Sequence, residues 1–456
     1  MVRPAALDRQ AEALASLEAS TSSLYDDLAH VRGTMDALAG RLEALHHDTA
    51  ALLDACRDDG EARARLAAVT GARLNADGIR LEGPPSARLQ VRRLTSGAPV
   101  DVPFGSRMGL TCLASTAPDV RALWDHLTAR EAACTDDRLR GAPATILEMT
   151  GATVSMPGGH GLTVALDGAR ERPVAPDMAV PAYPLVAVPK LTHHFSARKL
   201  RNVGHWLLDG LPQVAALVDL APDALFLLPP SLKGVHRATL ALLGVPESQT
   251  LAWDGHRLAC ERLLVLEDDG RAGGGRPLSA LLAMRQRLAH RAGLPDQPGT
   301  GRVYVARRDA KPHRRWATNE PDVEALFASR GFTIVAMNAC PLPDQLRIFG
   351  RAGVIAGISG AGLADIVFAP PGAHVITLVS DDLMRWYAEE GQSRALWMHP
   401  AATGDGELAR LGDSPRFYGH VAAALGQTSH YFVGPDQVPL DQLARFLDDV
   451  LPRVAS

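Results

Sequence analysis

The chain has 456 residues, 46% of them hydrophobic, with 51 acidic against 47 basic side chains and a formal net charge of −4. That length is too great for one ordinary core and points to two or three domains, while the composition excludes a disordered chain and the slight acidity excludes a general nucleic-acid binder. No stretch reaches the roughly 18 uncharged apolar residues of a membrane-spanning helix, the N-terminus lacks a signal-peptide core, and five scattered cysteines with no CxxC pair read as buried thiols; a cytoplasmic protein is the expectation.

Leu24, Leu28, Val31, Met35, Leu38, Leu42, Leu45, Thr49 and Leu52 alternate four and three residues apart. This seam predicts a coiled-coil helix over 1–58, about 40 Å of it in register, and a homo-oligomer. An amphipathic helix lying on its own domain is the plainer alternative. Residues 59–145 read as a small mixed accessory domain, with short strands in "GIRLEGPPSARLQVRRLTSGAPVDVPF" and a helix in "APDVRALWDHLTAREAAC". "TILEMTGATVSM" and "GLTVALDG" predict further short strands. From Pro184 onward, apolar runs such as "LVAVP", "RLLVLE", "RVYVA", "GVIAG" and "HVITLV" alternate with helical patterns, the signature of parallel sheets. "LPDQPGTG" at 294–301 interrupts the series. It divides an α/β half over 146–295 from a second over 296–456, which "PDQVPLDQLARFLDDVLPRV" closes as an amphipathic helix. A ligand cleft between the two halves is the default architecture.

Three segments could carry chemistry. In "RNVGHWLLDGLPQVAAL", Asn202, His205 and Asp209 are spaced to share a helix face, and Pro212 should kink or end that helix. A self-satisfied His–Asp pair is the structural alternative. In "RVYVARRDAKPHRRWATNEPDVEALF" a strand ends at Arg307, and Arg302, Arg308, Lys311, Arg314 and Arg315 crowd around it. Guanidinium forks match phosphate oxygens, so this cluster could clamp a diphosphate. Asn319 should cap the helix that begins at Glu320 and Pro321. In "GISGAG", Gly357, Gly360 and Gly362 surround Ser359 at a strand exit, where bare backbone and a following helix start favour an anion. A tight turn without ligand explains the same letters. Gln345 lies on the helix leading in. Asp381 and Asp382 follow the next strand, where a carboxylate could hold a ribose. The third glycine of a dinucleotide fingerprint would fall at Asp365, which disfavours a nicotinamide enzyme.

Together these segments resemble glycosyltransferase family 61, which contains plant xylosyl- and arabinosyltransferases and endoplasmic-reticulum O-linked N-acetylglucosaminyltransferases. The resemblance runs over roughly residues 145 to 390. It is carried by Asn202, His205, Trp206, Asp209, Leu211 and Pro212, then Arg307, Arg315, Asn319, Glu320 and Gln345, then Gly360–Leu363, Phe368, Pro371 and Gly372. It implies a GT-B fold, in which two Rossmann-like halves face a cleft, the first for the acceptor and the second for the donor. It further implies a nucleotide-sugar co-substrate, usually a UDP-sugar, with no other cofactor, and inversion at the anomeric carbon without a required metal. The expected donor-binding residues are Arg307, Arg315, Asn319, Glu320, Ser359, Gly360, Ala361, Gly362 and Asp381; Asn202 and Trp206 are expected on the acceptor side. The acceptor would be a glycan or protein hydroxyl. Asp209 is expected as the general base, with His205 orienting it or itself taking the proton, and Asp365 as the rival. Three positions depart from the family pattern: Ser359 replaces a histidine, Asp365 an asparagine and Thr377 a glutamate. A non-catalytic coiled-coil scaffold that binds nucleotide sugar or glycan, and a nucleotide-cofactor oxidoreductase, are the competing readings.

Overall fold

The computed structural model describes residues 79–82, 91–135, 138–141, 143–155, 162–166, 183–188, 202–266 apart from 229, 231 and 233, 276–307, 317–390, 410–411 and 415–454. The coiled coil expected over 1–58 and Arg315 lie outside the described residues. Those described belong to one compact unit, Leu74–Ser456.

In chain order the strands and helices begin with β1 (Ile79–Glu82), β2 (Val91–Ser96), β3 (Val100–Pro103), β4 (Met108–Leu113), α1 (Pro118–Thr135), β5 (Arg138–Gly141), β6 (Ala144–Ser155), β7 (Leu162–Leu166) and β8 (Tyr183–Val188). A composite helix follows, α2, made of Val203–His205, a π-helical turn Trp206–Gly210 and Leu211–Leu220. Next come β9 (Leu225–Leu228), α3 (Gly234–Leu243), β10 (Thr250–Ala252), β11 (Leu258–Leu266), β12 (Arg276–Pro277) and α4 (Leu278–Ala292). The remaining elements are β13 (Gly301–Ala306), α5 (Glu320–Ser329), β14 (Thr333–Ala336), α6 (Leu342–Phe349), β15 (Ala352–Ile358), β16 (His374–Ser380), α7 (Asp381–Glu390), β17 (Arg410–Leu411), α8 (Phe417–Ala424), β18 (Thr428–Gly434) and α9 (Leu440–Val454).

Two large sheets result. In the first, β11, β8, β9 and β10 run parallel, and β6 is antiparallel to β11 on one side and to β2 and β7 on the other. The second is wholly parallel, in the order β14-β13-β15-β16-β18-β4. All seven residues of β15 are buried, as a central parallel strand covered on both faces requires. Helix α9 lays Leu443, Leu447 and Val450 on one face of this sheet. The other face shares a hydrophobic core with the first sheet, so Val186 and Phe226 belong to the same cluster as Val305, Ile355 and Val375. The stretch read as an accessory domain is divided between the two: β2 joins the first sheet and β4 closes the edge of the second. The expected boundary at 145 therefore falls inside β6, while that at 295 falls in the α4–β13 connection.

The strand order fixes where a ligand can enter. From β13 the chain crosses to β14 on one side, then returns to β15 on the other. That reversal opens a crevice at the carboxyl ends of β13 and β15, the topological switch point of an open α/β sheet. Arg307 follows β13 there, and Ser359 and Gly360 follow β15.

Candidate functional site

Helix α2 delivers the first pair of groups. Asn202 stands at its N-cap, and Asn202 Oδ1 accepts the Gly204 N–H at 3.0 Å. Asn202 thus caps the helix instead of sharing a face with the other two polar residues. His205 Nδ1 and Asp209 Oδ2 are 2.7 Å apart, with the histidine side chain 29% exposed and the carboxylate 9%. The buried carboxylate is on the inside of the pair and the imidazole on the outside. Pro212 neither ends nor breaks the helix. Immediately before it the backbone widens into the π turn, where the Leu211 N–H reaches the Trp206 carbonyl, and the helix then continues to Leu220. Such turns recur at functional sites. Trp206, expected on the acceptor side, is fully buried. Its Nε1–H donates to Thr239 Oγ1 at 2.8 Å and its ring packs on His236, so it anchors the helix in the core.

The second group is the turn after β15. Ser359 N–H donates to the Leu378 carbonyl at 2.8 Å, and Ser359 O accepts from Arg307 Nη1 at 3.1 Å. The guanidinium lies over Gly360, where a Cβ would overlap Arg307 Nη1. Gly357 and Gly362 have a different reason. A Cβ on Gly362 would come within 2.8 Å of Val305 Cγ1, and one on Gly357 within 3.1 Å of Leu363 Cδ2, so both glycines serve close packing of the turn on β13. Ala361 and Gly362 open a 3₁₀ helix, Ala361–Phe368.

The two groups touch. A Cβ on Gly204 would lie 2.9 Å from Ala361 Cα and 3.0 Å from its Cβ, so α2 and the turn meet backbone to backbone. His205 is one residue from this contact on its chain, and Gly360 one residue from it on the other.

Other expected residues fall elsewhere. Asn319 occupies the N-cap position of α5 but makes no capping bond; its amide instead donates to the Val438 carbonyl at 3.0 Å and accepts the Val438 N–H at 2.9 Å. Both ends of that side chain tie two loops together. Glu320 is buried, and its Oε1 accepts the Arg307 backbone N–H at 2.7 Å. Asp381 is buried at the start of α7 and turned to the chain before α1, where its Oδ2 accepts the Ala117 N–H at 3.3 Å; burial holds its carboxyl above the usual range. Asp365 is 1% exposed, and burial pushes it up to about 8.

A small recess of about 10 Å³, room for about one water, adjoins the turn at the carboxyl ends of β15, β16 and β18. Ala317, Ile358, Leu378 and Phe432 form its apolar wall, and Ser380 and Asp436 its polar edge. Asp436 is pushed up to about 6, first by burial and then by a hydrogen bond to the neighbouring carboxyl of Asp382. Sequence reading did not single out Asp436; the available signal was a Pro-Asp step directly after an apolar strand, "YFVGPD". No helix among the described residues is long and apolar enough to cross a membrane, and none of their His, Cys, Asp and Glu side chains gather in threes around a possible metal position.

Comparison with known proteins places this geometry. No curated protein matches the chain. Residues 203–376 match the family described as Glycosyltransferase 61, a span that begins at the first residue of α2 and ends within β16. It therefore contains the His205–Asp209 pair, Arg307 and the turn at Gly360, so these residues lie in a Glycosyltransferase 61 domain, which makes the protein a glycosyltransferase.

Proposed function

We propose that the protein is an inverting, metal-independent glycosyltransferase of GT-B architecture. It moves a sugar from a nucleotide-sugar, UDP-sugars being the first to test, to a hydroxyl of a glycan or protein. The Gly204–Ala361 contact carries this reading, because it sets an acid–base pair beside a cation at a switch-point crevice. The diphosphate lies against Arg307 and the turn, at the carboxyl ends of β13 and β15. The coiled coil over 1–58 sets an oligomer and takes no part in chemistry.

The base in this reading is His205, with Asp209 behind it. Nδ1 faces the carboxylate, so a neutral ring donates its Nδ1 proton to Asp209 and presents the Nε2 lone pair outward. Nε2 takes the acceptor hydroxyl's proton while that oxygen attacks the anomeric carbon. The bond to the phosphate oxygen breaks, its electron pair leaves with the diphosphate, and Arg307 offsets the charge. One displacement from the face opposite the leaving group inverts the anomeric centre. Asp209 stabilises the imidazolium that forms, a task suited to its buried position. Asp365, buried and neutral near pH 7, is unsuited to take the proton.

A thermal-shift panel of nucleotide sugars identifies the donor, and hydrolysis of that donor gives a turnover assay that needs no known acceptor. His205→Ala should lower turnover by about 10²-fold or more, with donor affinity kept within a few-fold. Asp209→Asn should fall between that variant and wild type. Collapse of Asp209→Asn beside a nearly normal His205→Ala returns the base to the carboxylate. A product that keeps the donor's anomeric configuration by proton NMR refutes the single displacement.

A further inference from the structure

The Arg307 side chain is long and has many rotamers, yet its guanidinium sits over Gly360 in one arrangement. Two of the residue's hydrogen bonds bear on this, one at its main chain and one at its guanidinium. Arg307 is the first residue beyond β13, so its N–H lies past the end of that strand, and Glu320 Oε1 accepts it at 2.7 Å. The guanidinium is held at its other end by the Ser359 carbonyl at 3.1 Å. Glu320 is 5% exposed and is the first residue of α5, where the helix N-terminus favours a carboxylate. The end of β13, the end of β15 and the start of α5 are therefore tied together through one arginine.

We infer that Glu320 is a positioning residue: it acts on the donor through Arg307, by fixing that residue's main chain, and not by touching the donor. The inference rests on Arg307 being the cation that meets the diphosphate. A cation held in place before substrate arrives needs no rearrangement when charge develops on the leaving group. Cutting the main-chain bond would let the arginine swing from the turn while leaving its charge in the protein.

A double-mutant cycle on the full-length chain tests this by titration calorimetry. The probe is whichever of UDP, GDP, ADP and CDP binds wild type most tightly. Arg307→Ala should weaken binding by about ten- to a hundredfold, the range of a charge-assisted contact, and Glu320→Ala by about tenfold. Glu320→Gln, whose amide oxygen can accept the same N–H, should stay within about threefold of wild type. The double variant Arg307→Ala/Glu320→Ala should bind no more than about twofold worse than Arg307→Ala alone. A residue that served only folding would lower the melting temperature without this coupling. Additive losses, or unchanged affinity in Glu320→Ala, overturn the inference while leaving Arg307 as the donor's cation. Unchanged affinity in Arg307→Ala, or no binding of any of the four probes by wild type, overturns the donor reading and this inference with it. If Glu320→Ala does not fold, Glu320→Asp takes its place: one methylene too short to reach, it should lose affinity about as much, and full affinity there refutes the idea.

Discussion

Replacing Asp365 by Asn should stabilise the protein at neutral pH and remove part of its pH dependence. The carboxyl is 1% exposed, its Oδ1 has no hydrogen-bond partner, and burial pushes it up to about 8 despite a bond from its own backbone N–H. An unfolded aspartate titrates near 3.9. Between these values the folded chain holds a proton that the unfolded chain has released, so stability falls as pH rises from about 4 to about 8. At about 1.36 kcal/mol per unit, the loss accumulated by pH 7 is at most ~4 kcal/mol, and local relaxation lowers it. Asparagine has nearly the same shape, has no charge to desolvate, and is the residue of the family pattern. Urea unfolding followed by tryptophan fluorescence at pH 5 and pH 8 measures the effect. Wild type should lose more stability than Asp365→Asn between the two, with the variant ahead by about 1–4 kcal/mol at pH 8. An equal pH dependence in both proteins, or a less stable variant at pH 8, would refute the reasoning and mean that the folded protein pairs this carboxylate.

Gly204→Ala forces a Cβ to within 3.0 Å of the Ala361 backbone, so it should cost about 1–3 kcal/mol by overpacking and push His205 from the turn. Turnover should then fall about ten- to a hundredfold with nucleotide affinity little changed; unaltered turnover would disconnect the contact from catalysis. Gly360→Val should expel the Arg307 guanidinium and weaken nucleotide binding about as much as Arg307→Ala, by about 1.5–3 kcal/mol in calorimetric titration. Wild-type affinity in Gly360→Val removes the proposed diphosphate position. EDTA should leave turnover intact, and inactivation reversed by a divalent ion would end the metal-free mechanism. Removing residues 1–58 should give a smaller particle by light scattering that still binds nucleotide, and a monomeric full-length protein would contradict the leucine seam.

The second sheet was largely legible because its central strands are buried on both faces, which forces continuous apolar runs such as "RVYVA", "GVIAG" and "HVITLV". Its edge was not. β4 pairs with β18 through Ser429↔Met108, partners more than 300 residues apart, and a half-exposed edge strand leaves no run to read. β6 is one strand of 12 residues that runs straight through Gly151, where "TILEMTGATVSM" predicts only short strands. Residue types near a site also proved poor guides to what each side chain does. Trp206 and Asn319 stand in the family's motif, and both are used internally, for the core and for a loop tie. The reverse holds for Ser359, which departs from the family pattern. The two contacts that hold the turn there are the Ser359 N–H on Leu378 and the Ser359 carbonyl beneath Arg307, and both belong to the backbone. Any residue could supply them. The arginine seat thus survives the loss of the family's histidine, and what that substitution removes is one side chain's charge beside the turn, not the turn itself.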